Sequence, residues 1–123
     1  MIVAGFGFST RARDDSLRDA LRRACASAGI SGPEALATAQ DKTAALDALS
    51  QSLGVPVHPV SQETLATQTT QTRSARVAAE RATGSVAEAA ALAAAGAGAR
   101  LLTPRMHAQD RLASCAIAKG ASS

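Results

Sequence analysis

The chain contains almost no aromatic side chains, and alanine supplies most of its apolar character. Trp and Tyr are absent, and Phe6 and Phe8 are the only phenylalanines. Apolar residues still make up 46% of the chain and charged residues 19%, which is typical of a globular protein rather than a disordered one. A core of Ala, Leu and Val requires its helices and strands to approach closely. Nucleic-acid binding is not expected, because base stacking needs aromatic platforms.

The length and the charge of the chain limit it further. Its 123 residues suffice for one domain, which we place at residues 1–118 before a disordered tail at 119–123. The net charge is +3, and because Lys42 and Lys119 are the only lysines, arginine carries the surplus. Arginine suits bidentate capture of carboxylate or phosphate. No run of about 18 apolar residues predicts a membrane span, and no basic leader precedes the first apolar run, so we expect a cytoplasmic protein.

Short apolar runs alternate along the chain with helical stripes. Residues 1–5 predict a strand, Asp14 opens a helix that Gly29 ends, and residues 35–39 predict a second strand. The pattern further predicts a helix from Asp41 to Gly54, an edge strand at 55–60, a helical turn at 61–65, a loop at 66–74, a helix at 73–82, and strands at 100–103 and 112–118. This alternation predicts an α/β fold of one domain, with a mainly parallel sheet and helices on both faces.

Residues 86–95 predict an alanine-rich helix that is apolar nearly all round. Ser85 and Glu88 form a capping box at its start, in which each side chain satisfies a backbone donor of the other residue. A catalytic role for Glu88 is the alternative. A helix of this composition is buried, either in the core of the domain or in the interface of a homodimer.

In folds of this class, ligands bind outside the carboxyl ends of the strands. The first loop at such an end is expected to hold two glycines and three polar donors: Gly5, Gly7, Ser9, Thr10 and Arg11. Its glycines would let the backbone approach an anion at the start of the next helix, while the alternative is a plain tight turn. Asp41 and Lys42 follow the second strand, which places Lys42 at the same edge, although Asp41 would also serve as a helix cap.

No metal, cofactor or nucleophile motif is recognisable in the sequence. His58 and His107 share no metal-ligand spacing with Cys25 and Cys115, and both cysteines lie in apolar patterns typical of small buried side chains. We therefore expect no metal site, no disulfide and no cofactor.

Five segments of the chain carry a family resemblance. They are residues 1–11, Asp41-Lys42 after a short strand, residues 84–92 (Gly-Ser-Val-Ala-Glu-Ala-Ala-Ala-Leu), a Pro104-Arg105 turn and the final strand at 116–118. Together they resemble the CobE family, which is similar to the C-terminal domain of CbiG, the cobalt-precorrin-5A hydrolase of anaerobic vitamin B12 biosynthesis. In that family the first loop usually reads Gly-x-Gly-Cys-Arg, whereas Phe8 and Ser9 stand at the last two places here.

The resemblance implies a role in cobalamin biosynthesis at the stage of the corrin ring. Position by position, it carries over to Gly5, Gly7, Asp41, Lys42, Ser85, Glu88 and Arg105, and local chemistry adds Ser9, Thr10 and Arg11. Corrin precursors bear many carboxylates, which basic side chains at the strand ends would bind. We therefore expect a carrier or accessory protein that binds a precorrin or corrin intermediate.

Two other functions stay open. The first is a hydrolase acting on a precorrin lactone or acyl group, with Glu88 or His107 as the base and with Ser9 or Thr10 orienting substrate or water. The second is a docking module for a methyltransferase or another enzyme of the pathway, which would need a large exposed apolar surface.

Overall fold

Five strands and the helices that connect them alternate along the described part of the chain. The computed structural model describes residues 1–67, 83–96 and 98–120. The strands are β1 (Ile2–Phe8), β2 (Ala35–Ala39), β3 (Val57–Val60), β4 (Arg100–His107) and β5 (Ala113–Lys119). The α-helices are α1 (Asp14–Ala28), α2 (Asp47–Leu53), α3 (Gln62–Thr67) and α4 (Thr83–Ala95), and a 3-10 helix spans Gln40–Leu46. Residues 68–82 of the predicted loop and helix lie outside the described residues.

The sheet has the strand order β3-β2-β1-β5-β4. β1 and β3 each pair with β2 in parallel, whereas β5 pairs antiparallel with both β1 and β4. Four strands therefore run in one direction and β5 runs against them, so the expected α/β class with a mostly parallel sheet is confirmed. β3 is an edge strand, as its prolines predict. We call the edge at which β1, β2, β3 and β4 end the carboxyl edge.

One face of the sheet is covered by α1 and α2. The apolar stripe of α1 is buried there, as its spacing predicts, and the helix ends at Gly29, whose φ of 74° lies in the left-handed region that glycine adopts without strain. Burying an aliphatic or phenylalanine side chain contributes about 1.5–3 kcal/mol. The largest fully buried apolar side chains of this face are Phe6, Leu17, Leu36, Leu46, Leu49 and Ile117.

The other face is covered by α4, whose backbone approaches the backbone of β1. A Cβ atom built on Gly5 would lie 2.2 Å from the carbonyl oxygen of Ala87 and 2.4 Å from the amide nitrogen of Ala91. No side chain fits between them, so glycine in the strand and alanine in the helix permit the close approach that the composition requires. The helix is buried within the domain, which is the first of the two expected alternatives.

Gly5 and Gly7 lie inside β1, so the expected glycine loop is wrong. The strand continues to Phe8 because Gly7 and Phe8 pair with Ser114 and Ala113 of β5. The hydroxyl of Ser114 also donates a hydrogen bond to the carbonyl oxygen of Gly7, at 3.3 Å. The two glycines are therefore strand residues, and the loop after β1 begins at Ser9.

The predicted turn at Pro104 and Arg105 is also wrong, because both residues lie within β4. Thr103 stands opposite Ile117 and Met106 stands opposite Cys115, so two residues of β4 face one residue of β5. This is a β-bulge, and a bulge is a place where a strand tolerates a proline, which has no N–H for the ladder.

Other helix and strand boundaries also differ from the predicted ones. The helix expected from Asp41 begins as the 3-10 helix and becomes α-helical only at α2. α4 begins at Thr83, which places Ser85 inside the helix instead of before it. Lys119, expected in the tail, is still part of β5, and the N–H of Gly120 donates to the carbonyl oxygen of Met1 at 2.9 Å. Residues 121–123 of the expected tail lie outside the described residues.

Candidate functional site

The loop after β1 is held in place at Ser9. The N–H of Ser9 donates to the carbonyl oxygen of Leu112 at 3.0 Å, and its own carbonyl oxygen accepts the N–H of Ala12 at 3.1 Å. Its hydroxyl oxygen accepts the N–H of Arg11 at 3.2 Å. This local bonding fixes the backbone that carries Thr10 and Arg11, whose side chains are exposed.

Lys42 reaches from the end of β2 to the end of β1. Its ammonium Nζ donates to the carbonyl oxygen of Phe8 at 2.7 Å and lies 5.2 Å from the centre of the Phe8 ring. The 3-10 helix starts directly after β2, which positions Lys42 over the neighbouring strand. A cation that rests on a carbonyl oxygen and an aromatic face keeps its charge available to a ligand.

A cavity of about 270 Å³ brings four of the predicted residues together. It is lined by Phe8, Ser9, Thr10, Ala12, Asp41, Lys42, Ala44 and Ala45. Because Phe8 belongs to the core beneath α1, this cavity opens on the α1 side of the carboxyl edge. We call it the Lys42 cavity. Arg11 is not among its lining residues and lies exposed on the adjacent loop.

Glu88 and Arg105 meet on the opposite face of the sheet. Glu88 has no exposed surface, and its carboxyl Oε2 accepts the backbone N–H of Arg105 at 3.0 Å. The bulge of β4 turns this N–H away from the β-ladder. The N–H therefore bonds the carboxyl group of Glu88 instead of a carbonyl oxygen of the neighbouring strand. Glu88 therefore supports the backbone of the bulge, which is a structural task that capping did not predict.

The predicted site residues thus divide into two groups. Ser9, Thr10, Asp41 and Lys42 surround the Lys42 cavity, whereas Glu88 and Arg105 lie on the face that α4 covers. Gly5 and Gly7 are strand residues, and Ser85 lies near the start of α4. The structure does not bring Glu88 to the Lys42 cavity.

His107 ends β4 at the carboxyl edge, two residues after Arg105 and four residues before Arg111 of the following turn. Met106 packs into the core beneath α1, so the alternation of the strand directs Arg105 and His107 to the other face. Partial desolvation lowers the pKa of the exposed His107, and the charges of Arg105 and Arg111 lower it further. The sequence pattern does not mark Arg111, and the signal for it is its place in a short turn between two predicted strands.

The arginines of the chain differ in whether a carboxylate neutralises them. Arg18, Arg22 and Arg23 of α1 each form an ion pair with Asp14 or Asp19 of the same helix. Within the described ranges, no carboxylate oxygen lies within 4.0 Å of the cations at the carboxyl edge: Arg11, Arg13, Lys42, Arg105 and Arg111. Among the described residues, these cations therefore have no carboxylate within ion-pair distance, and Arg13 interacts with Asp110 at longer range.

The remaining side chains of interest form no reactive centre in the part of the chain that is described. Burial raises the pKa of the Cys115 thiol, with a smaller contribution from Cys25, and burial also raises the pKa of the Cys25 thiol. Both cysteines are free. No three His, Cys, Asp or Glu side chains among the described residues could hold a metal ion together. The described helices also include none that is long and apolar enough to span a membrane.

Comparisons with known proteins agree on one family. The family model described as Cobalamin synthesis G C-terminus matches residues 2–118. The solved structure of the cobalamin biosynthesis protein chiG from Agrobacterium tumefaciens is 35% identical, with a TM-score of 0.73 over 98% of this chain and 99% of that one. CobE, a protein from the cobalamin (vitamin B12) biosynthetic pathway, is 35% identical with a TM-score of 0.75, over 96% of this chain and 89% of that one.

A more distant structure shares the fold. A cobalamin biosynthesis protein G homolog from Sulfolobus solfataricus is 18% identical with a TM-score of 0.70, over 95% of this chain and 36% of that one. No curated protein matches the chain.

Proposed function

Because the chain belongs to the family of the cobalamin synthesis G C-terminus, and is a cobalamin biosynthesis protein of the CbiG C-terminal or CobE type, we propose that it binds a polycarboxylated corrin or precorrin intermediate at its carboxyl edge. The ligand is held and passed on unchanged. The supporting observation is the set of cations at this edge that have no carboxylate partner among the described residues.

The charge and the position of this edge suit such a ligand. Arginine and lysine bind carboxylates through charge-assisted hydrogen bonds, which are roughly twice as strong as neutral ones. The chain passes from β1 outward to β3 and then returns through α4 to the other side of β1. In open α/β sheets, ligands bind in the crevice where the strand order reverses. Phe8 and Ser9 stand at the end of β1, the strand at which the order reverses, and Lys42 reaches Phe8 from the side of β2.

The size of the Lys42 cavity indicates which part of the ligand it holds. Its volume is about 270 Å³. Pockets that enclose drug-sized ligands usually measure roughly 300–1,000 Å³. We therefore assign the cavity to a carboxylate-bearing side chain of the macrocycle, with the hydroxyls of Ser9 and Thr10 as donors beside Lys42. The ring itself lies across the open edge.

The two alternative functions receive less support from the described residues. Glu88 supports the backbone of β4, which leaves His107 as the base that a hydrolase would use. A docking module needs an extended apolar surface, but the exposed large apolar side chains in the described ranges are only Met1 and Leu53, each 41% exposed.

The test is a titration with hydrogenobyrinic acid, a polycarboxylated corrin whose absorption spectrum reports its environment. Wild-type protein should shift the spectrum and co-elute with the pigment in gel filtration. Arg11→Ala and Lys42→Ala should each weaken binding by about tenfold, since one charge-assisted hydrogen bond is worth about 1.4 kcal/mol or more. Arg11 is the cleaner position, because its exposed side chain has no carboxylate partner among the described residues.

Arg18→Ala is the matched control. It removes the same charge from α1, where Arg18 bonds Asp14 and Ser52 instead of facing the carboxyl edge. Its affinity should equal that of the wild type. Equal affinity of all four proteins would contradict the proposed site, and absence of co-elution would contradict the proposed ligand class. A pigment of altered mass would contradict the carrier function and support the hydrolase function.

A further inference from the structure

The turn between β4 and β5 is bonded at almost every backbone position. The N–H of Ala108 donates to Ala113 O at 2.9 Å, and the N–H of Arg111 donates to Ala108 O at 2.9 Å. The carbonyl oxygen of Leu112 accepts the N–H of Ser9, which ties this turn to the loop after β1. The turn is therefore a rigid support for the side chains that it carries.

The acidic side chains nearest to this turn are used to anchor it. Asp110 Oδ1 accepts the N–H of Leu112 at 2.9 Å, and its Oδ2 accepts the hydroxyl of Ser16 at 2.5 Å. Asp19 Oδ2 accepts the N–H of Gln109 at 2.7 Å. Asp110 thus binds a backbone and a hydroxyl donor, and Asp19 binds a backbone donor together with Arg22 and Arg23 of α1. They leave the neighbouring cations of the turn without an acidic partner in the described ranges.

Arg111 is held in a conformation that few side chains adopt. Its φ of 62° lies in the left-handed region, and Arg111 is the only residue other than glycine with a positive φ in the described part of the chain. This conformation is unfavourable for a residue with a Cβ atom. Glycine would remove the cost, so the presence of arginine here points to a use of its side chain.

We propose that Arg105, His107 and Arg111 form a second carboxylate site on the β4–β5 turn, and that ligand binding there is coupled to protonation of His107. This inference rests on the proposed function for the identity of the ligand. The Lys42 cavity holds one carboxylate arm of the corrin on the α1 side, and the turn holds another arm on the α4 side. The two sites together fix the orientation of the macrocycle across the edge.

The proton coupling follows from the charges that face His107. Arg105 precedes it on the same face of β4, Arg111 lies in the turn, and Ser114, opposite it on β5, is not a titratable group. Glu88 of α4 faces the backbone N–H of Arg105, and Asp19 of α1 faces that of Gln109. In the free protein, partial desolvation lowers the pKa of His107, and the charges of the two arginines, which oppose a third positive charge, lower it further. A bound carboxylate neutralises them and raises that pKa, so binding takes up a proton.

The first experiment measures the affinity for hydrogenobyrinic acid at pH 8 and pH 6, where its carboxylates stay ionised. Wild-type protein should bind about fivefold more tightly at pH 6, because one coupled proton allows at most a tenfold change per pH unit. His107→Gln should abolish this difference. His58→Gln is the matched control, since His58 lies on β3 and lines a different depression, and it should keep the difference.

Arg111→Gln tests the arginine component. It should weaken binding at pH 6 by about tenfold and reduce the pH difference, because the charge that opposes protonation is gone. Binding that is independent of pH, or a pH difference that survives in His107→Gln, would overturn the inference while leaving the Lys42 cavity and the proposed function intact.

A second experiment separates failure of the inference from failure of the proposed function. The chain has two histidines, so proton NMR resolves both imidazoles, and the two His→Gln variants assign them. Succinate should raise the pKa of His107 relative to chloride at equal ionic strength, and Arg111→Gln should remove the effect. A corrin that does not bind, together with this succinate effect, would overturn the proposed function but keep the carboxylate site. No effect of succinate would overturn the site.

Discussion

Gly5 sets the distance between β1 and α4. The helix lies so close that an added Cβ atom would overlap the backbone of Ala87 and Ala91, and backbone atoms cannot rotate away as a flexible side chain can. We expect Gly5→Ala to lower the free energy of unfolding by about 2–3 kcal/mol, as overpacking of a filled core does. Urea denaturation measures this change.

Gly32→Ala is the matched control for Gly5→Ala. Its added Cβ atom would meet no heavy atom within 4 Å, and Gly32 has a negative or extended φ. Its stability should equal or slightly exceed that of the wild type, because alanine restricts the unfolded chain. A Gly5→Ala protein as stable as Gly32→Ala would contradict the close packing described here.

At the scale of single residues, the sequence identified side chains by their position after a strand. Ser9, Thr10, Asp41 and Lys42 were predictable in this way, since parallel strands end at a common edge. Gly5 and Gly7 were not, because two glycines spaced by one residue suit both an anion loop and a strand beneath a close helix. Arg111 was missed because its lack of an acidic partner among the described residues depends on where Asp19 and Asp110 direct their carboxylates, which involves residues far away in sequence.

At the scale of elements, the bulge of β4 depends on the buried carboxyl group of Glu88. Glu88→Ala removes the acceptor of the Arg105 N–H, and an unsatisfied buried N–H costs about 1–3 kcal/mol. We expect that loss in the free energy of unfolding, together with faster hydrogen exchange of the Arg105 amide. Glu88→Gln keeps an acceptor oxygen and should recover most of the protection.

Glu34→Ala controls for the loss of a glutamate that accepts a backbone N–H. Glu34 Oε1 accepts the N–H of Ile2 at 2.7 Å, at the exposed start of β1. Its loss should accelerate exchange of the Ile2 amide alone. Unchanged exchange at Arg105 in Glu88→Ala would show that the bulge holds its shape without this carboxyl group.

The elements of the fold follow from local patterns, whereas their irregularities do not. The stripe of α1 and the capping hydroxyl of Ser61, which accepts the N–H of Thr64 at 3.1 Å, were both predictable from the sequence. Pro104 predicted a turn because proline interrupts a β-ladder. Only the partner strand decides whether such an interruption ends the strand or becomes a bulge.

At the scale of the whole molecule, two carboxylates make the free energy of unfolding depend on pH. The Gln109 N–H lowers the pKa of Asp19, and the Ser16 hydroxyl lowers that of Asp110. Because the pKa of each carboxyl group is lower in the folded state, each carboxylate stabilises the fold at pH values above its pKa in the unfolded chain, about 3.9. That stabilisation is lost as the pH falls through the pKa of the folded state. We expect the free energy of unfolding to decrease at pH values below about 4. Asp110→Asn should be less stable than the wild type at pH 7 but should lose less stability on acidification.

Urea denaturation at pH 7, 4 and 3 measures this dependence. Asp15→Asn is the control, since it removes the same charge from an exposed side chain that accepts no hydrogen bond within the described ranges. It should follow the wild-type curve. An Asp110→Asn protein that loses stability with acid as steeply as the wild type would contradict the anchoring role of Asp110.

The overall class was predictable because apolar runs alternate with helical stripes, but two global features were not. β5 is buried on both faces, so its apolar run reads the same whichever way the strand is directed. The division of the predicted site residues between two faces depends on how α1 and α4 pack on the sheet. No single loop sequence contains that information.

The hydrogen bond between Gly120 and Met1 shows that the two ends of the described fold lie next to each other. β1 and β5 are antiparallel neighbours, so both ends of the described fold emerge side by side, at the edge opposite to Lys42 and His107. A domain fused before Met1 or after Gly120 would therefore attach at the edge opposite to the Lys42 cavity and leave the cationic edge open. The same fold makes up 36% of the longer Sulfolobus chain. Chain ends that lie close together at the surface are what permits a domain to be joined to or inserted into another chain.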